Sequence, residues 1–415
     1  MFTSMKRFFF LLPLALPLYV VRFQIGPLPT TLLEIIVLGL VAWWAYERRD
    51  AGIRDAWLLS KPWHWPVALW LLAGAIAVMV SPIHLQALGL YRAYFIEPLL
   101  IFFIGFDLIR TRDDRERLWR SFSIVTVILT VWAGIQMLTG WGIPHPWGVW
   151  PGRRSTGPFP FPNALALFVT PIAALAMARI VSALNEKMEE RRSKVEAADS
   201  GTSIFHLPSS TFSLDLITMM SGFIAILLAQ SDGGLAALAV ATMVTLLVHK
   251  HSRRFGIEIA IAGFLAIALI PPLRDHVLQI VLFKDWSGMV RTVMWKETIL
   301  MLKDHALLGA GLAAYPVTIL PYHTATWMEV FQYPHSIILN LWSEVGPLGT
   351  AAFGWVIVTW MRNMRQSAWR IGTAVVAATL VHGLVDVPYF KNDLAIAFWL
   401  LILLTASYET KRTPH

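Results

Sequence analysis

Apolar residues run along this chain in long blocks that polar residues interrupt only briefly. A helix needs about 20 predominantly apolar residues to cross a bilayer. Twelve segments approach that length: 7–23, 30–46, 64–80, 86–108, 118–139, 159–184, 214–230, 233–249, 255–271, 335–361, 369–387 and 393–409. The pattern predicts an all-α, polytopic integral membrane protein with about twelve transmembrane helices, forming a single membrane domain over 1–415. Lys6 and Arg7 precede the first apolar run, which holds Pro13 and Pro17 and no small-residue cleavage site; it reads as an uncleaved first helix. Two connectors are long. Residues 185–213, with EKMEERRSKVEAADSGTS, are charged, small and free of aromatics over that run, and predict a mobile cytoplasmic loop. Residues 272–334 form a large external loop, with a helical pattern around Arg291–Lys303 and a Pro/Gly/Tyr-rich stretch after it; long structured loops of this kind are usually functional.

Composition agrees. Hydrophobic residues make up 56% of the 415, charged residues 14%, and mean hydropathy is +0.59, against about 25% charged in soluble domains. Disorder and a soluble enzyme are both excluded. The net charge of +8 suggests nucleic acid at first sight, but the basic residues form no continuous face. Of the 34 Lys and Arg residues, all but Arg22, Arg92, Arg153, Arg154, Arg274, Lys284, Arg291, Lys296, Lys303 and Lys391 fall on one side of the predicted topology. By the positive-inside rule that side is cytoplasmic, and it holds both termini. The absence of cysteine removes disulfides, thiolate metal sites and thiol nucleophiles.

Polar groups inside membrane proteins call for a functional explanation by default. Here they gather at the outer ends of the spans: His84, Arg92, Arg153, Arg154, Asp232, Arg291, His335, His382, Asp386 and Asp393. At mid-membrane depth almost nothing comparable appears apart from Glu34 and Glu97, in the second and fourth spans, which favours chemistry at one surface over a transport path. Pro334 suits the entry of a helix and sets His335 in its first turn. Leu339, Trp342, Gly346 and Gly349 then lie within about 40° of it on the helical projection, with Glu344 on the opposite face. A helix N-terminus disfavours a cationic ring and leaves an imidazole able to accept a proton. Structural explanations compete with each functional one. His335 suits an interfacial hydrogen bond, Arg153 and Arg154 suit lipid headgroups, and Arg291 suits a solvated helix face. Asp232 suits a helix cap, His382 and Asp386 suit an intrahelical bond, and Arg92 suits snorkelling. The histidines show no metal-ligand spacing, and no phosphate loop is present; Gly309-Ala310-Gly311 reads as a tight turn. Neither a metal nor a cofactor is implied.

Pro334-His335, followed by Leu339, Glu344, Gly346 and Gly349, resembles the signature of the O-antigen ligase and O-antigen polymerase superfamily, although Ser336 stands where the family usually has Asn. Thr156-Gly157-Pro158-Phe159 with Pro162-Asn163 and Ala166 resembles its G-x-F-x-x-P-N-x-x-A element. Arg291 with Trp295 and Leu308-Gly309-Ala310-Gly311 resembles the helix and glycine turn of its external loop, and His382 with Asp386 its late H-x-x-x-D element. The likeness spans about residues 150–400. One departure is Ser231-Asp232-Gly233 where the family carries Ser-Arg-Gly. The resemblance implies a glycosyltransferase of the bacterial cytoplasmic membrane, working at its external face without a metal or nucleotide sugar. Its donor is an undecaprenyl-pyrophosphate-linked glycan and its acceptor a hydroxyl on a lipid, glycan or protein. In that setting His335 is the expected general base and Arg291 the expected partner of the departing pyrophosphate, with Arg153, Arg154, Arg92, Asp232, His382 and Asp386 as candidates to bind pyrophosphate or acceptor. A ligase reading stands first, beside a polysaccharide polymerase or a protein O-oligosaccharyltransferase. The rivals from other classes are a carrier for lipid-linked or anionic solutes and, given Asp232, a non-catalytic envelope scaffold.

Overall fold

A computed structural model describes residues 2–26, 28–49, 54–197, 210–364 and 366–406. In chain order its elements are α1 (Phe2–Ala15), a hairpin of β1 (Arg22–Ile25) and β2 (Leu28–Thr31), α2 (Leu32–Arg48), α3 (Arg54–Leu59), α4 (His64–Val80), α5 (His84–Tyr91), α6 (Glu97–Leu108), α7 (Arg112–Thr139), α8 (Pro162–Ala197), α9 (Ser210–Ala229) and α10 (Asp232–Val248). There follow α11 (Arg253–Leu269), α12 (Pro271–Val281), α13 (Trp286–Asp304), α14 (Tyr315–Thr318), α15 (Ile337–Arg362), α16 (Gln366–Gly383) and α17 (Asn392–Thr405). A π-helical turn, Arg92–Ile96, joins α5 to α6.

Each of the twelve apolar segments is largely helical, but fewer qualify as spans. Among the described residues five helices are long and apolar enough to cross a membrane, or six if α11 and the bent continuation through α13 count as one. The expectation of twelve came from counting apolar blocks, and blocks are not helices of one length. At about 1.5 Å per residue, the 14 residues of α17 reach only about 21 Å, short of the hydrocarbon thickness. A 3-10 turn at Leu16–Val20, with Pro17 near its start, cuts the first segment short. The expected loop at 185–213 is helical as far as Ala197 and again from Ser210; 198–209 lie outside the described residues.

The chain forms two compact units. The first comprises Met1–Ser121, Gln279–Arg365 and His382–His415, and the second Phe122–Leu278 and Gln366–Val381. In the first, α4 packs along α15 and α6 along α17. Their shared core is aromatic: Trp70 stacks on Phe95 at 4.5 Å, and Phe353 on Phe398 at 5.5 Å. Tyr389 is buried among them, its hydroxyl accepting from the Trp70 and Trp399 indoles and donating to the Tyr94 carbonyl. In the second unit α8 packs against α9 and α10. Gly222 permits the closest approach there, since a Cβ would come within 2.7 Å of that of Ala173.

Helix α15 is broken where Gly346 takes φ 68° and Pro347 follows. Pro347 has no N–H for the Ser343 carbonyl one turn earlier. Ala310 supplies one instead, at 2.7 Å, from the glycine turn of the 272–334 connector. The neighbouring Gly309, at φ 71°, lies so close to the carbonyls of Trp342 and Ser343 that no Cβ fits. Glu344, buried, accepts the Ala313 N–H at 2.6 Å, and the Trp342 indole donates to the Ala306 carbonyl at 2.8 Å. Gly309→Ala is therefore expected to cost at least about 2 kcal/mol, through both clash and a left-handed backbone. Gly354→Ala on the same helix, where nothing lies within 4 Å of an added Cβ, should be neutral or stabilising. Unfolding midpoints in detergent compare the two; equal shifts would remove the docked turn from the stability of this unit.

Candidate active site

Four of the sequence candidates meet in the first unit. His335 does not occupy the first turn of α15. It precedes the N-cap, Ser336, with φ 46°. Histidine tolerates the left-handed region better than most residues, at a cost on the order of 1–2 kcal/mol. The ring holds the backbone there. Nδ1 lies 3.2 Å from Asp386 Oδ1, and the rings of Tyr333 and Phe331 flank it edge-on at 4.9 and 5.5 Å. A charge-assisted hydrogen bond, worth about 1.5–3 kcal/mol, is large enough to offset the backbone cost.

Asp386 sits on the connector between α16 and α17 and is almost wholly buried. Burial alone would raise its carboxyl, but the adjacent His335 ring outweighs that and holds it below the usual carboxylate range. An ionised carboxylate only accepts hydrogen bonds. It accepts from the Val387 N–H at 2.8 Å and from His335. Nδ1 then carries the hydrogen, and Nε2 remains the basic nitrogen of His335. The expected intrahelical bond between His382 and Asp386 does not form, because α16 ends at Gly383 and the chain turns. The His382 Nδ1 is buried with no hydrogen-bond partner among the described residues.

The connector is pinned on three sides. Arg291, on α13, donates Nε to the Val385 carbonyl at 2.8 Å and Nη1 to Ser287 Oγ, one turn back, at 2.7 Å. Two of its five N–H donors are thus engaged. Trp295, one turn further along, donates to the Pro334 carbonyl beside His335 at 2.9 Å. Tyr389 enters the aromatic core, and Asn392 donates to Glu34 at 3.2 Å. Glu34 caps α2 through Thr31 and pairs with Arg92 at 2.6 Å; Arg92 also faces the buried Glu97 at 3.2 Å. Arg92 is therefore held between two carboxylates. Asp393 is buried in the first turn of α17, and His84 meets the Val78 carbonyl at 3.0 Å.

The remaining candidates belong to the second unit. Arg153 donates to the Met137 carbonyl near the end of α7, at 2.9 Å, and Arg154 to the Ala229 carbonyl at the end of α9, also at 2.9 Å. Both guanidiniums satisfy helix C-termini, which favour cations. Arg154 also meets Asn163 at 3.0 Å, and Gln136 clasps the Thr156–Gly157 backbone through its amide. Asp232 is exposed in the first turn of α10; the cap is Ser231, which accepts the Gly234 N–H.

Sequence reasoning gave no role to Ser287, Tyr333, Phe331, Gln136 or the Glu297–His323 pair. The four-residue spacing of Ser287 and Arg291 and the nearness of Phe331 and Tyr333 to His335 are local signals; the Gln136 and Glu297–His323 contacts join residues 20 or more positions apart. Glu297, buried on α13, binds His323 Nδ1 at 2.9 Å and the Thr324 N–H at 2.8 Å, while His323 Nε2 reaches the Met328 carbonyl at 3.0 Å.

The fold and site define a helical, membrane-type protein carrying a histidine–carboxylate pair beside an arginine, on connectors between apolar helices. A family model described as O-antigen ligase matches residues 217–354, which include Asp232, Arg291, His335 and Glu344. That stretch of the chain is therefore similar to the O-antigen ligase family. No curated protein matches the chain.

The Glu297–His323 pin carries a pH signature. Burial raises Glu297, but the His323 bond and the loop amides outweigh it and depress its carboxyl; the Glu297 bond in turn raises His323. The Glu297 contribution is present above the ordinary glutamate value and lost as pH falls through the depressed one. The His323 contribution is complete below its ordinary value and lost as pH rises through the raised one. The loop at 323–328 should be tightest between about pH 4.5 and 6.5. Hydrogen exchange of its amides, corrected for intrinsic rates, should speed up on both sides of that window, and His323→Gln should flatten the alkaline side. A flat profile in the wild type would show that the pair does not pin the loop.

Proposed function

We propose that this chain is an O-antigen ligase-type glycosyltransferase. It moves a glycan from an undecaprenyl-pyrophosphate carrier to a hydroxyl acceptor at the external face of the cytoplasmic membrane. The carrying observation is the pairing of His335 with Asp386, next to Val385, whose carbonyl holds Arg291. His335 Nε2 takes the proton of the acceptor hydroxyl as its oxygen attacks the anomeric carbon. The bond from that carbon to the pyrophosphate oxygen breaks, and the electron pair leaves with the pyrophosphate. Asp386 fixes the tautomer and steadies the imidazolium that forms. Arg291, with three N–H donors beyond its two structural bonds, stabilises charge on the leaving group. The reading assigns no step to a metal or cofactor. A polysaccharide polymerase and a protein O-oligosaccharyltransferase use the same donor chemistry and differ in acceptor.

Protein reconstituted in liposomes, supplied with a polyprenyl-pyrophosphate glycan and a panel of lipid, glycan and protein acceptors, tests the proposal. Wild type should form covalent product. His335→Ala should lose roughly 100- to 10,000-fold in rate. Asp386→Asn should lower kcat more than it raises KM, and Arg291→Lys should not restore the activity lost in Arg291→Ala, because a point charge does not replace a planar fork. Turnover equal to wild type in His335→Ala and Arg291→Ala would overturn the assignment. Uptake of the lipid-linked glycan without covalent product would favour a carrier.

A further inference from the structure

Two indoles stand exposed beside the site with no role in the chemistry above. Trp286, 67% exposed, opens α13; Trp327, 51% exposed, lies on the loop that leads to His335. Their ring centroids are 5.3 Å apart at an interplanar angle of 61°, an edge-to-face pair that leaves half or more of each residue exposed. Both are held firmly. Trp286 follows Asp285, whose side chain caps α13 through the Gly288 N–H. Trp327 sits between Thr324 and Met328, the two points at which Glu297 and His323 pin the loop. The loop thus meets α13 at two places, Glu297 and Trp286. Four residues beyond Trp327 comes Phe331, then Tyr333, and both of these rings touch His335.

Large exposed aromatic surfaces mark sites of interaction. Rigid tryptophans provide contact area at little entropic cost. We infer that Trp286 and Trp327 form a carbohydrate-stacking subsite, which holds the glycan a short distance from the reacting bond by packing the C–H faces of its sugar rings on the indoles. The inference rests on the glycosyltransferase reading for its ligand. The continuity of the aromatic segment from Trp327 to His335 favours a glycan over the other natural partner of exposed tryptophan, the lipid–water interface.

The test uses full-length protein in nanodiscs and two polyprenyl-diphosphate donors, one bearing a single repeat unit and one several. Trp286→Ala/Trp327→Ala should raise KM for the longer donor about tenfold and raise it far less for the shorter one, and Trp327→Tyr should recover most of the loss. The glycan freed from its diphosphate by mild acid should give saturation-transfer NMR signals with wild type and with His335→Ala, and these should disappear in the double tryptophan variant. Trp-dependent binding of the freed glycan in the absence of any transfer would keep the subsite while the transferase reading fails. Transfer that treats both donors alike in wild type and double variant would overturn the subsite while the transferase reading stands. Quenching by brominated phospholipid that the double variant loses would also overturn it, assigning the pair to the membrane.

Discussion

The first unit depends on a hydrogen bond that its own helix is unable to make. Pro347 leaves the Ser343 carbonyl without its helical donor, and a buried carbonyl without a donor costs about 1–3 kcal/mol. The Ala310 N–H takes its place. Satisfying that carbonyl obliges the long connector to dock its tightest turn into the break, and only glycine allows the approach at 309. From there the connector is committed in both directions. Backwards it leads to α13, with Arg291 and Trp295 on one flank; forwards it runs through the Glu297 pin to Pro334 and His335. A defect in one helix thus becomes the reference point for a connector of some sixty residues.

Burial of charge sets the second rule. Removing an ion from water costs several kcal/mol unless it finds partners, and the described guanidiniums near the candidate site show how that cost is met. Arg92 stands between two carboxylates, and Arg291 caps a carbonyl of the connector. In the second unit Arg153 and Arg154 satisfy helix ends. These cations differ in what they leave free. Arg92 is matched by the Glu34 carboxylate at 2.6 Å, whereas Arg291 faces a carbonyl and a hydroxyl. In the proposed mechanism this difference makes Arg92 a cross-link and Arg291 the group that meets the pyrophosphate.

Much of the fold was legible because hydrophobic length is a local property. Helix cores at 64–80, 118–139 and 233–249 can be read from runs of apolar residues. What could not be read was how a run is subdivided and docked: Pro17 and Pro347 are local signals for the 3-10 turn and the break in α15, but the turn that fills the break comes from a distant segment. The candidate site follows the same division. Its residue types and positions stood out, since polar side chains are rare in such a chain. Their pairings did not. His382 and Asp386 invited a bond by their spacing, yet the chain turns at Gly383 and Asp386 meets His335, 51 positions away. Asp232 looked like a cap, but Ser231 has the better-placed oxygen.

The left-handed backbone at His335 bears on how the ring is held. Had the residue lain in the first turn of α15, its ring direction would follow the helix and the helix dipole would act on it directly. Placed before the N-cap, the ring is oriented instead by Asp386, Tyr333 and Phe331, side chains from two connectors that the Arg291 and Trp295 bonds tie to α13. Orientation through several tertiary contacts tolerates less error than orientation by one helix, because loosening either connector frees the ring to rotate. It also couples the ring's orientation to the rest of the unit: the carboxylate that accepts from Nδ1 sits on a connector that Tyr389 and Asn392 anchor. A substitution far from the imidazole, at Glu34 or Trp70, therefore acts on His335 through the position of Asp386.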